Sequence, residues 1–67
     1  MFDGVFEFYA ERIKASYNYS KTSAHDLINM VSRCAFYDSL LTGDEFKQIV
    51  SMCMEAHKNI EEGKNHE

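Results

Sequence analysis

The chain has 67 residues, eleven acidic against seven basic for a net charge of −4, and 45% of it is hydrophobic. That length admits one domain at most, because so short a chain hides only about 60% of its unfolded surface and has no material for a second core. The apolar share excludes intrinsic disorder, and an acidic balance with scattered bases argues against nucleic acid or an anionic membrane, both of which are bound through clustered Lys and Arg.

The first segment repeats Phe2, Val5, Phe6, Tyr9, Ile13 and Tyr17 at three and four residues, the period that lays side chains along one side of a helix. Asp3 is placed to cap its first free amides and Glu7 to favour the positive end of its dipole, which predicts a helix over 3–17. Asn18 to Thr22 has no apolar period, and Asn18 is a residue that can take the left-handed conformation that ends a helix. Ser23, with Asp26 three residues on, reads as the start of a second helix over 24–39 carrying Leu27, Ile28, Val31, Cys34 and Ala35. Leu40 and Leu41 form a short link. Thr42 with Glu45 is the strongest capping signature, flanked by Leu41 and Phe46 at the two positions of a hydrophobic staple. It predicts a third helix over 43–62 with Phe46, Ile49, Val50, Cys53 and Ile60 on one side, and Gly63 stands where helices stop. Short links favour neighbours that pack together, so the expected fold is an all-α, compact three-helix bundle in a single domain over 1–63, followed by a polar tail over 64–67.

Few residues point to chemistry. Cys34 and Cys53 fall on apolar sides and read as reduced, buried core thiols. Cys53 and His57 are four apart, a spacing that can grip a metal, but His25 and Cys34, the remaining candidates, lie about 13 Å apart along one helix, so no metal site is expected. Gly43 sits where a calcium loop starting at Asp38 would have its glycine, yet Leu40 and Ile49 stand where that loop needs carboxylates. Ser23, His25 and Asp26 are too close on one helix start to act as a triad. With no phosphate-cradling glycine loop and little room for a pocket, the chain reads as a non-enzyme with no cofactor and no small-molecule substrate. No stretch approaches the ~18 apolar residues of a membrane span, and Met1 to Gly4 lack the basic start of a signal peptide, so a cytoplasmic location is expected.

Function must then come from apolar surface. At 100° per residue, Phe8 and Met52 fall about 120° from the middle of their helices' apolar stripes and Phe36 about 145°, with Met30, Tyr37 and Met54 on the flanks. Aromatic residues and methionine are favoured in the buried centres of interfaces. Phe8, Phe36, Met52, Tyr37 and Met30 are therefore the expected partner-binding residues of a small acidic regulator or inhibitor, docking an apolar, acid-rimmed surface on a partner protein or in a homodimer. The alternative is a helix-turn-helix-like nucleic-acid binder, against which Asp44 and Glu45 at the start of the would-be reading helix count.

Overall fold

The structure, a computed structural model, describes residues 4–63. It is an all-α three-helix bundle: α1 (Val5–Ala15) runs into a 3-10 turn (Ser16–Asn18), followed by α2 (Lys21–Tyr37) and α3 (Gly43–Glu61). Among the described residues there is no strand.

Each helix starts and stops for a local reason. Gly4 stands at the N-cap of α1 without a side-chain cap, while the proposed cap Asp3 and the apolar Phe2 lie outside the described residues. The 3-10 turn closes with the Tyr19 amide donating to the Ser16 carbonyl, so the chain tightens out of α1 and Asn18 never turns left-handed. Ser20, not Ser23, caps α2: its hydroxyl accepts from the Ser23 amide at 3.4 Å, and Ser23 is the third residue of the helix. The helix therefore begins earlier than the apolar period suggests, because its first turn, Lys21 to Ala24, is held by this cap and by the tight turn before it. It also ends earlier, at Tyr37, with Asp38 extended. The capping box at α3 is complete, Thr42 Oγ1 accepting from the Glu45 amide and Glu45 Oε1 from the Thr42 amide, each at 3.1 Å. Leu41 and Phe46, at the two staple positions, are both partly buried against the core beside it. Past Glu62, Gly63 takes φ +72°, the left-handed conformation that closes a helix at least cost for glycine.

The core holds Tyr9 and Ile13 from α1, Ala24, Ile28, Val31 and Ala35 from α2, and Ile49, Cys53, Ala56 and Ile60 from α3. Ala24 and Ala56 are wholly buried, small side chains that let helix backbones approach closely. Val5, Phe6, Tyr17 and Leu27 close the edges. Cys34 departs from expectation: both cysteines are free thiols, but Cys34 is exposed. Ala35, 100° further round α2, takes the inward position, and Cys34 is carried to the edge of the stripe.

Candidate docking surface

On the outer side of α2, Met30, Arg33, Cys34 and Tyr37 recur at three and four residues and form one exposed stripe. Leu40 continues it past the end of the helix, and these five residues line one open depression together with Asp38 and Ser39. A second groove, between α1 and α2, shares Met30 and Cys34 with the first and adds Phe8, Tyr9 and Arg12 from α1 and Leu27 and Val31 from α2. The two run together as a single apolar strip from Phe8 to Leu40. Its exposure is high, at 58% for Met30, 77% for Tyr37 and 74% for Leu40.

The strip is held in shape by Asp38. The Tyr9 hydroxyl donates to Asp38 Oδ2 at 2.7 Å and the Leu40 amide donates to Asp38 Oδ1 at 2.9 Å, so one carboxylate ties α1 to the α2–α3 link. The Tyr9 hydrogen bond, then that of the Leu40 amide, holds the Asp38 carboxyl below its ordinary range. Burial, followed by the bond to Asp38, pushes Tyr9 up to about 12. Over Phe8 lies the Arg12 guanidinium, 4.8 Å from the ring centre, while the Phe8 and Tyr9 rings meet in a T-shaped pair with centres 5.5 Å apart.

The expected partner-binding residues are thus divided. Phe8, Met30 and Tyr37 share the strip, with Phe8 half-buried. Phe36 is 66% exposed and does not line the strip, but its ring packs edge-to-face with Tyr37 at 5.0 Å between centres and lies 6.1 Å from Phe46 of α3. Met52 is half-buried in a separate groove between α1 and α3, among Ile13, Tyr17 and Glu55. Leu40, Cys34 and the two arginines are strip residues that periodicity alone missed. Leu40 lies in a link where helical angles carry no information, and the apolar period of α2 places Cys34 inward. The rim also differs from the acid-rimmed surface expected: the charged residues lining the strip are Arg12, Arg33 and Asp38, and both oxygens of Asp38 are occupied.

The opposite flank of α2 carries a polar cluster. His25 Nδ1 and His57 Nδ1 lie 2.6 Å apart with their rings stacked at 4.8 Å. His25 Nε2 meets Glu61 Oε2 at 2.8 Å, Lys21 Nζ meets Glu61 Oε1 at 3.2 Å, and His57 Nε2 meets Asn29 Oδ1 at 3.1 Å. The Glu61 carboxylate only accepts, so His25 Nε2 carries the proton of that contact, and one proton between the two Nδ1 atoms completes theirs. With the Asn29 amide turned so that its nitrogen donates to His57 Nε2, the neutral pair satisfies all three contacts, whereas a proton on every ring nitrogen would set two N–H groups face to face. Desolvation, then the neighbouring His25, holds the His57 imidazole below its ordinary value against the pull of Glu61. Glu61 is itself held low by its hydrogen bonds to Lys21 and His25.

Neither region assembles a metal centre. Among the described residues no group of three or more His, Cys, Asp and Glu is arranged to hold an ion. The two Nδ1 lone pairs are too close to admit a cation between them, since each Zn–N bond alone needs about 2 Å. Cys53 is turned away, its thiol donating to the Ile28 carbonyl at 3.8 Å, and burial pushes it up to about 11, where it stays an unreactive core group. No helix among the described residues is long and apolar enough to cross a membrane. No protein-family model matches the chain, and neither a curated protein nor a solved structure does.

Proposed function

We propose that this protein is a small, non-enzymatic, cytoplasmic interaction module that docks the Phe8-to-Leu40 strip on a partner protein or on a second copy of itself, and regulates or inhibits what it covers. The observation that carries this reading is the continuity of Met30, Tyr37 and Leu40, three large apolar side chains that are more than half exposed side by side in so small a fold. Scattered single apolar residues are ordinary on a surface, whereas a contiguous strip with an aromatic centre has the composition of an interface core. Covering it would also add burial that a domain of this size lacks on its own.

The non-enzymatic part rests on what the polar groups are occupied with. The titratable cluster of His25, His57 and Glu61 is spent on itself, joining α2 to α3, and lies on the flank of α2 away from the strip. Phe36 and Met52, which do not line the strip, are assigned no direct part in docking, Phe36 serving to support the Tyr37 ring. The test is the double variant Met30→Ser with Tyr37→Ser, set beside Met54→Ser, an exposed apolar residue of α3 that does not line the strip. Sedimentation and partner capture should change for the first and not for the second. Equal behaviour of wild type and Met30→Ser/Tyr37→Ser in both measurements would overturn the reading.

A further inference from the structure

Both arginines of this chain stand on the apolar strip. Arg12 lines it from α1 and Arg33 from α2, while the five lysines lie elsewhere in the sequence. Two of those lysines, Lys14 and Lys21, are paired with glutamates on their own surface. Among the described residues neither arginine has a carboxylate within ion-pair distance, and Asp38, the acid that lines the strip, already accepts from Tyr9 and Leu40. An acidic protein has thus placed its two guanidiniums, the side chains best shaped to grip carboxylates in pairs, beside its most exposed apolar residues.

The shape of the strip restricts what can fill it. Its walls are helices whose backbone groups bond internally, so it presents no sheet edge to which an extended chain could add a strand. What it offers is a shallow channel between α1 and α2 that runs from Leu27 to Tyr37, about 15 Å along the axis, or three turns of helix. Another helix laid in that channel would set its own apolar residues on Phe8, Met30 and Tyr37 and its flanks beside Arg12 and Arg33.

Resting on the docking role proposed above, we infer that the occupant of the strip is an amphipathic helix of a partner protein whose apolar stripe is bordered by Asp or Glu. The arginines select it. Partner carboxylates bind at Arg12 and Arg33 while the apolar stripes close over each other, and a helix bordered by Lys is repelled. A second copy of this chain is the poorer occupant, because a symmetric pairing of the strip would set guanidinium groups near guanidinium groups between molecules that each carry a charge of −4.

The experiment is a selection from displayed amphipathic helices with a fixed leucine stripe and randomised border positions, using the full chain as bait. The expected outcome is recovery of helices bordered by Asp and Glu. These should bind about tenfold more weakly to an Arg12→Gln/Arg33→Gln variant of unchanged circular dichroism, lose affinity between about 50 mM and about 500 mM salt, and shield Cys34 from maleimide labelling. Helices with neutral or basic borders, or equal binding to the glutamine variant, would overturn the inference. If those helices still need Met30 and Tyr37, the docking role survives without its acidic partner. Failure to recover any helix, or protection of Cys34 that rises with protein concentration alone, would overturn it too, the latter assigning the strip to a second copy.

Discussion

The two flanks of α2 invert the usual division between polar and apolar surface. Towards α3, His25 and Asn29 meet His57 and Glu61, and each side chain has a partner. Away from α3, Met30, Cys34 and Tyr37 lie exposed beside α1 with no other element over them among the described residues. A titratable cluster is the ordinary place to look for function, but here its groups satisfy one another and join two helices. The apolar flank is the one left without cover. The contrast teaches that completeness of partnering, more than chemical reactivity, separates the structural side of this helix from the side available to something else.

The sharpest way to break this comparison is to cut a side chain from each kind of environment and read stability. Ile49 is wholly buried, so Ile49→Ala removes packed methylenes and leaves a hole; the expected loss is about 2 to 5 kcal/mol, enough to unfold much of so small a domain. Met30→Ala, at an exposed position in the strip, should shift stability by no more than about 0.5 kcal/mol. Urea denaturation followed by far-UV circular dichroism measures both. A large loss for Met30→Ala would mean that the strip is part of the fold and not a surface awaiting a partner.

The cluster on the other flank makes stability depend on acid, and its sign follows from the depressed His57. An unfolded imidazole takes its proton near 6.5, whereas the folded one resists protonation because it is desolvated and already shares a proton with His25. On acidification the unfolded chain therefore binds protons first, so this contribution is intact above 6.5 and is lost as pH falls from there through the lower folded value. Lys21 and Glu61 are the charged groups that bond within the cluster, and Glu61, also held low, adds a loss of the same sign further down, below the ordinary 4.5 of a glutamate. Melting temperature recorded from pH 7 to pH 5 should fall for the wild type and stay flatter for His57→Gln. An identical slope in the two would show that the stacked pair carries no proton-linked stability.

Much of this architecture was legible because helical periodicity is a property of neighbours in sequence. The existence of three helices, the Thr42–Glu45 box and the Leu41–Phe46 pair flanking it all follow from residues within five positions of each other. What escaped depends on distance in sequence or on residues with weak signals. Ala24 and Ala56 are wholly buried, yet alanine carries too little hydropathy to announce a core position. The start of α2 was hidden because its first turn has no apolar period and depends on Ser20. His25 and His57 were legible only as remote metal candidates, being separated by 32 positions, and their pairing arises when α2 and α3 pack. For the strip, angles on single helices found Met30, Tyr37 and Phe8 but also Phe36 and Met52, because an angle measured from one helix does not say which neighbour occupies that direction. Arg12 and Arg33 looked like scattered single charges until the fold set them on one surface.

The two helix caps provide the finest comparison, and the smallest effects. At α3 the exchange is reciprocal, with Thr42 and Glu45 each satisfying the other's amide at 3.1 Å, and Leu41 and Phe46 on either side of the box both pack against the core. At α2 the Ser20 hydroxyl accepts a single, longer bond of 3.4 Å from the Ser23 amide, and no acidic residue sits in the first turn to return it. A cap of ordinary strength contributes about 1 kcal/mol, with the best near 2 and the weakest near 0.5. Thr42→Ala should therefore cost about 1 kcal/mol or slightly more, and Ser20→Ala about half of that, in urea titrations of the two variants under identical conditions. Because the Thr42 cap is also the end of the link that carries Leu40, its loss should loosen the far end of the strip, raising the labelling rate at Cys34 little but weakening docking measurably. Ser20 lies at the opposite end of α2, so Ser20→Ala should leave docking unchanged; a reversed order of costs would mean that entry into α2 is governed by the 3-10 turn and the packing of Ala24 more than by its serine.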